Sequence, residues 1–77
     1  MKFVVEAFDK KTDSIDFEIL LPEGCEAQLA EIMNWPAPQQ GDEGYDLTAI
    51  QLARIEELSD QRFIDENHIF QLTCNNY

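Results

Sequence analysis

Basic residues are what this chain has least of for its size: 5 Lys and Arg stand against 16 Asp and Glu, for a formal net charge of -11 over 77 residues. So few cations exclude a surface that tracks phosphates, and the net field repels nucleic acid and anionic membrane while drawing in a basic partner. The same acidity also serves plain solubility, since charge speaks of association rather than of fold. Glycine is thin as well, at 3 residues, and no glycine-rich loop is present to cradle a phosphate. His68 is the single histidine, and Cys25 and Cys74 are the only cysteines, too far apart for the usual zinc or redox spacings. Both thiols are expected to be buried and reduced. No apolar run approaches the length of a membrane span, and the N-terminus opens on a strand rather than a signal peptide, so a cytoplasmic location is expected.

What is present is patterned apolar sequence. The hydrophobic content of 44% is normal for a globular protein and too high for a disordered acidic tail, so residues 1–77 are read as a single folded domain. A domain this small buries only about 60% of the surface its unfolded chain exposes, so its core is modest.

Ile15, Phe17, Ile19 and Leu21 alternate with Asp16 and Glu18, the period of a half-buried strand. Upstream, Phe3, Val5 and Ala7 alternate with Val4, Glu6 and Phe8, and a strand with apolar residues on both faces belongs in the middle of a sheet. Lys10 to Ser14 joins the two as a polar hairpin loop without Gly or Pro. Pro22 ends the second strand, because it has no N–H for a ladder. Cys25, Leu29, Ile32 and Met33 then form one helical stripe that stops before Trp35-Pro36, with Trp35 assigned to the core.

Pro36 to Asp46 reads as one long loop, either functional or a plain linker. The next boundary is the clearest in the chain: Thr48 and Gln51 are spaced for a capping box, with Leu47 and Leu52 placed as a hydrophobic staple. Leu52, Ile55 and Leu58 carry the core stripe of this second helix. Asp65-Glu66-Asn67 turns the chain into a last strand, where Phe70, Leu72 and Cys74 alternate with Ile69, Gln71 and Thr73. The expected fold is α+β: a small three-stranded antiparallel sheet with two helices on one face, in the order strand-strand-helix-helix-strand.

Catalytic chemistry is sparse. A pairing of His68 with Cys25 or Cys74 competes with a histidine that merely caps or solvates a turn, and the latter reading wins, so no enzyme is expected. Asp42, Glu43 and Asp46 are hard oxygen donors without the count or spacing of a calcium loop, so no metal or cofactor is expected. Asp13-Ser14-Ile15-Asp16 looks superficially like the prosthetic-group site of acyl carrier proteins. There the serine opens a helix, whereas Ser14 opens a run of period two.

Binding is better supplied. With the odd residues of the hairpin turned to the helices, the open sheet face shows Val4, Glu6 and Phe8 beside Asp16, Glu18 and Leu20, with Gln71 and Thr73. Acid mixed with apolar anchors suits a protein interface, although antiparallel sheets often keep one wet face. The partner-binding candidates are Glu6, Phe8, Asp16 and Glu18 on that face, and Asp42, Glu43, Tyr45 and Asp46 as a competing loop patch.

Three segments carry a resemblance: Val4-Val5-Glu6-Ala7-Phe8-Asp9-Lys10-Lys11-Thr12, Gly41-Asp42-Glu43-Gly44-Tyr45-Asp46-Leu47-Thr48 and Ile69-Phe70-Gln71-Leu72-Thr73-Cys74-Asn75. Together they resemble small bacterial immunity proteins of polymorphic toxins of the contact-dependent inhibition type. In size, acidity and the Phe8-Asp9-Lys10 strand end, the chain is also distantly similar to immunity proteins of cloacin-type ribonucleases. Its two helices and long loop depart from that second group, so the binding face does not carry over from it. The resemblance implies a protein that binds and neutralises a basic cognate toxin domain, in the first place a nuclease, with neither nucleic acid nor membrane as partner. The alternative is a nucleic-acid mimic that inhibits a basic DNA- or RNA-binding protein.

Overall fold

The computed structural model describes residues 2–37 and 44–75. In chain order the elements are β1 (Lys2–Asp9), β2 (Ile15–Leu20), α1 (Glu26–Met33), β3 (Gly44–Asp46), α2 (Ala49–Ser59) and β4 (His68–Asn75). The strands form one sheet in the order β2-β1-β4-β3, antiparallel at every seam.

Phe3, Val5 and Ala7 of β1, Ile19 and Leu21 of the second strand and its exit, and Phe70, Leu72 and Cys74 of β4 fill one face of the sheet. Cys25, Leu29, Leu52 and Ile55 pack onto them from the helices. Each fully buried aliphatic here contributes about 1.5–3 kcal/mol by leaving water. β1 runs through the middle because it is apolar on both faces, and its long register with β4 ties the two ends of the chain together. Both cysteines are buried, as expected.

Chain reversals are made with little glycine. Asp13, Asn34 and Asp60 take left-handed backbone, at φ of 63°, 58° and 55°. Asn and Asp are the residues that tolerate this region best after glycine. Asn34 closes α1 and Asp60 closes α2, each donating its backbone N–H to carbonyls of the last turn. At the other end of α2 the capping box is complete: Gln51 N donates to Thr48 Oγ1 at 3.2 Å, and Thr48 N donates to Gln51 Oε1 at 2.9 Å. Leu47 and Leu52 join the same core, as the staple requires.

Two expectations are corrected. The sheet has four strands, not three, because Gly44–Asp46 at the end of the expected loop pairs with the free edge of β4. Leu47 N extends this pairing by donating to Phe70 O at 3.1 Å. Three residues are too short to show a period, so only the edge they dock on reveals them. β4 therefore lies inside the sheet, and the edges are β2 and β3. The hairpin's alternation also breaks: the register slips between Ala7 and Phe8, leaving Asp16 as an extra residue in β2. Ile15 consequently pairs with Phe8 and is 49% exposed instead of buried.

Candidate protein-binding face

Residues directly opposite in an antiparallel pair share a face, so the registers define what the open side of the sheet presents. Its middle row is polar and crosses all four strands: Glu18, Glu6, Gln71 and Asp46. Gln71 Nε2 donates to Asp46 Oδ1 at 2.9 Å, tying β4 to the short β3. On one side of this belt lie Leu20, Val4 and Thr73, and on the other Ile15, Phe8 and Ile69. Leu20 is 58% exposed and Ile69 is 46% exposed. The helices pack on the opposite face, so among the described residues Leu20, Ile15 and Ile69 are left to solvent while Val4, Phe8 and Thr73 are half-buried.

Electrostatics single out the centre of the belt. Partial burial pushes the Glu6 carboxyl above its ordinary value, and the negative charge of Glu18 adds to the rise. A cationic group placed between them would offset the repulsion and favour the charged form of Glu6.

The expected site residues divide. Glu6, Phe8 and Glu18 share the open face as anticipated, and Asp46 joins them from β3. Asp16 does not: the bulge turns it to the other side, where its Oδ2 meets His68 Nε2 at 2.8 Å. Tyr45 pairs with Leu72 on the helix side, its ring 5.4 Å from that of Trp35, so it is a half-buried packing residue in this arrangement. Asp42 and Glu43 lie outside the described residues. Ile15 and Ile69 were missed as face residues; the alternation of Ile69 with Phe70 carried the signal for one, and only the bulge exposes the other. Trp35 does reach the core, 6.0 Å from the Phe3 ring, but its Nε1 is buried without a hydrogen-bond partner among the described residues.

At one end of the helix side, His68 departs from the expectation of a solvated turn residue. Its Nδ1 lies 2.7 Å from Asp65 Oδ1, its Nε2 faces Asp16, and Phe17 packs edge-on at 5.1 Å. Hydrogen bonds to Asp65 and then Asp16 raise the imidazole's pKa, and the same contact with His68 lowers that of Asp65. Cys74 stands six residues along the same strand, about 20 Å away at the rise of a β-strand, so it does not pair with this histidine.

No helix among the described residues is long and apolar enough to cross a membrane. Comparison with curated proteins and with solved structures finds no match. A family described as a domain of unknown function, DUF7683, matches residues 2–73, nearly the whole of the four-stranded sheet and both helices, and the chain belongs to that family.

Proposed function

We propose that this protein is an immunity-type inhibitor that binds a basic toxin domain, most naturally a nuclease, through the open face of its sheet. The observation that carries the reading is the belt of Glu18, Glu6, Gln71 and Asp46 flanked by Leu20, Ile15 and Ile69, which stand exposed among the described residues. Interfaces draw affinity from desolvated apolar anchors and orientation from flanking charge, and this face supplies both in alternating rows. A nuclease must gather phosphates in a positive cleft, so it offers the complementary field. The net charge of -11 accelerates that encounter.

Co-expression is the direct test. The proposal requires a toxin-like reading frame next to the gene, whose C-terminal domain expressed alone should stop growth and whose effect co-expression of this chain should reverse. Absence of protection, with both proteins present in soluble form, sinks the proposal. Tight binding to many unrelated basic DNA- or RNA-binding proteins, with no preference for the neighbouring toxin, would instead favour a nucleic-acid mimic.

A further inference from the structure

We propose that Asp9, Asp16 and His68 form a binding site for a first-row divalent cation of the zinc class, separate from the open face. Three strand ends bring the donors together: Asp9 closes β1, Asp16 is the bulged residue of β2, and His68 opens β4. One ligand atom from each lies within 4.8 Å of the others. Strict alternation would send Asp16 to the opposite side of the sheet, and the bulge re-aims it onto the histidine. Bulges are used in this way next to functional sites.

The histidine is built as a ligand. Its side chain is only 12% exposed, with the Phe17 and Phe70 rings at 5.1 Å and 6.2 Å. Both oxygens of Asp65 lie within 2.8 Å of Nδ1. A carboxylate on one ring nitrogen is the usual outer support of a metal-bound histidine, because it fixes the ring and makes the other nitrogen the better donor. That other nitrogen, Nε2, hydrogen-bonds Asp16 Oδ2 at 2.8 Å, and zinc would take the place of the proton they share, with a carboxylate oxygen of Asp9 within 4.8 Å. Asp9 is oriented in turn by the hairpin, its Oδ1 accepting from Lys11 N at 2.7 Å and Thr12 N at 3.3 Å.

One imidazole nitrogen and two carboxylates suit zinc and its neighbours better than the all-oxygen preference of calcium or magnesium. Three protein donors leave a coordination position for water. A cavity lined by Asp9, Lys10, Lys11, Asn67 and His68 adjoins two of the three donors.

The test uses the full chain. Zinc chloride is titrated by calorimetry, with calcium and magnesium as controls, while the single imidazole is followed by long-range nitrogen-proton NMR. The expected result is one zinc per chain, a large shift of the His68 Nε2 resonance, and much weaker binding of the two hard cations. Asp16→Asn and His68→Gln should abolish the one-to-one event. Asp65→Asn keeps all three ligands and should weaken zinc about 10–100-fold while retaining the Nε2 shift. Zinc that leaves the His68 resonances of the parent protein unmoved overturns the proposal, whatever the variants do. So does calcium binding as tightly as zinc, which would mean diffuse attraction to the acidic surface.

Discussion

Glu6 and Glu18 stand directly opposite each other across β1 and β2, two carboxylates facing on the exposed side of the sheet. Like charges in directly opposed positions destabilise a sheet, so this pair is a cost to the free protein. Gln71 sits opposite Glu6 on its other side and brings no positive charge to offset it. A binding partner with a cation at this point would remove the repulsion.

The first prediction follows from that pair. Glu18→Gln should stabilise the free protein by about 0.2–1 kcal/mol in denaturant titrations at neutral pH, the range for a cross-strand pair. It should also bring the Glu6 pKa down towards its ordinary 4.5, although burial, the larger cause, keeps part of the shift. The folded pKa is raised, so the penalty is full above it and is relieved as pH falls through it towards 4.5. An unchanged Glu6 titration in the variant would show that the two carboxylates do not interact.

A second prediction separates steering from anchoring on the open face. Reversal of Glu6, Glu18 and Asp46 to Lys should slow association with the partner and flatten its salt dependence. Asp16→Asn should leave the association rate as it was, because that side chain points to His68. Phe8→Ala or Leu20→Ala should cost about 2 kcal/mol of binding if either is a hot spot, mostly through faster dissociation. Surface plasmon resonance distinguishes these outcomes, and parental kinetics in every variant would place the interface elsewhere.

Core and cap give the third. Ile55 and Leu72 are completely buried, so truncating either to Ala should cost about 2–5 kcal/mol of unfolding free energy. Thr48→Ala removes one half of the capping box and should cost about 1 kcal/mol. Denaturant unfolding measures both. A cap effect as large as a core effect would mean that α2 contributes through its end rather than its buried stripe.

The fourth concerns Glu56, whose Oε2 accepts from Phe63 N at 2.7 Å and from Ile64 N at 3.0 Å. These bonds to the charged form hold the carboxyl below its ordinary 4.5, with the Ile64 bond contributing most and the Phe63 bond next. A depressed folded pKa means stabilisation that is present above 4.5 and lost as pH falls through the lower folded value. Hydrogen exchange at the Phe63 and Ile64 amides should quicken in Glu56→Ala at neutral pH. Equal protection of these amides in the variant and the parent would assign the order of this loop to the Phe63 ring, which packs 5.6 Å from that of Phe70.

Consecutive residues alone determine the hairpin's existence, the stripe of α1, the capping box of α2 and the alternation of β4, because period and cap are properties of short windows. The acidic character and the placement of Glu6, Phe8 and Glu18 on one face follow from the same alternation. Only the tertiary structure decides the rest. β3 exists because the edge of β4 was free to pair, a condition not visible in three residues. Asp16 leaves the open face because β1 and β2 differ by one residue in register, which depends on both strands at once. His68 meets Asp16 across 52 positions of chain, a distance over which no local pattern speaks and which the folded sheet closes to 2.8 Å.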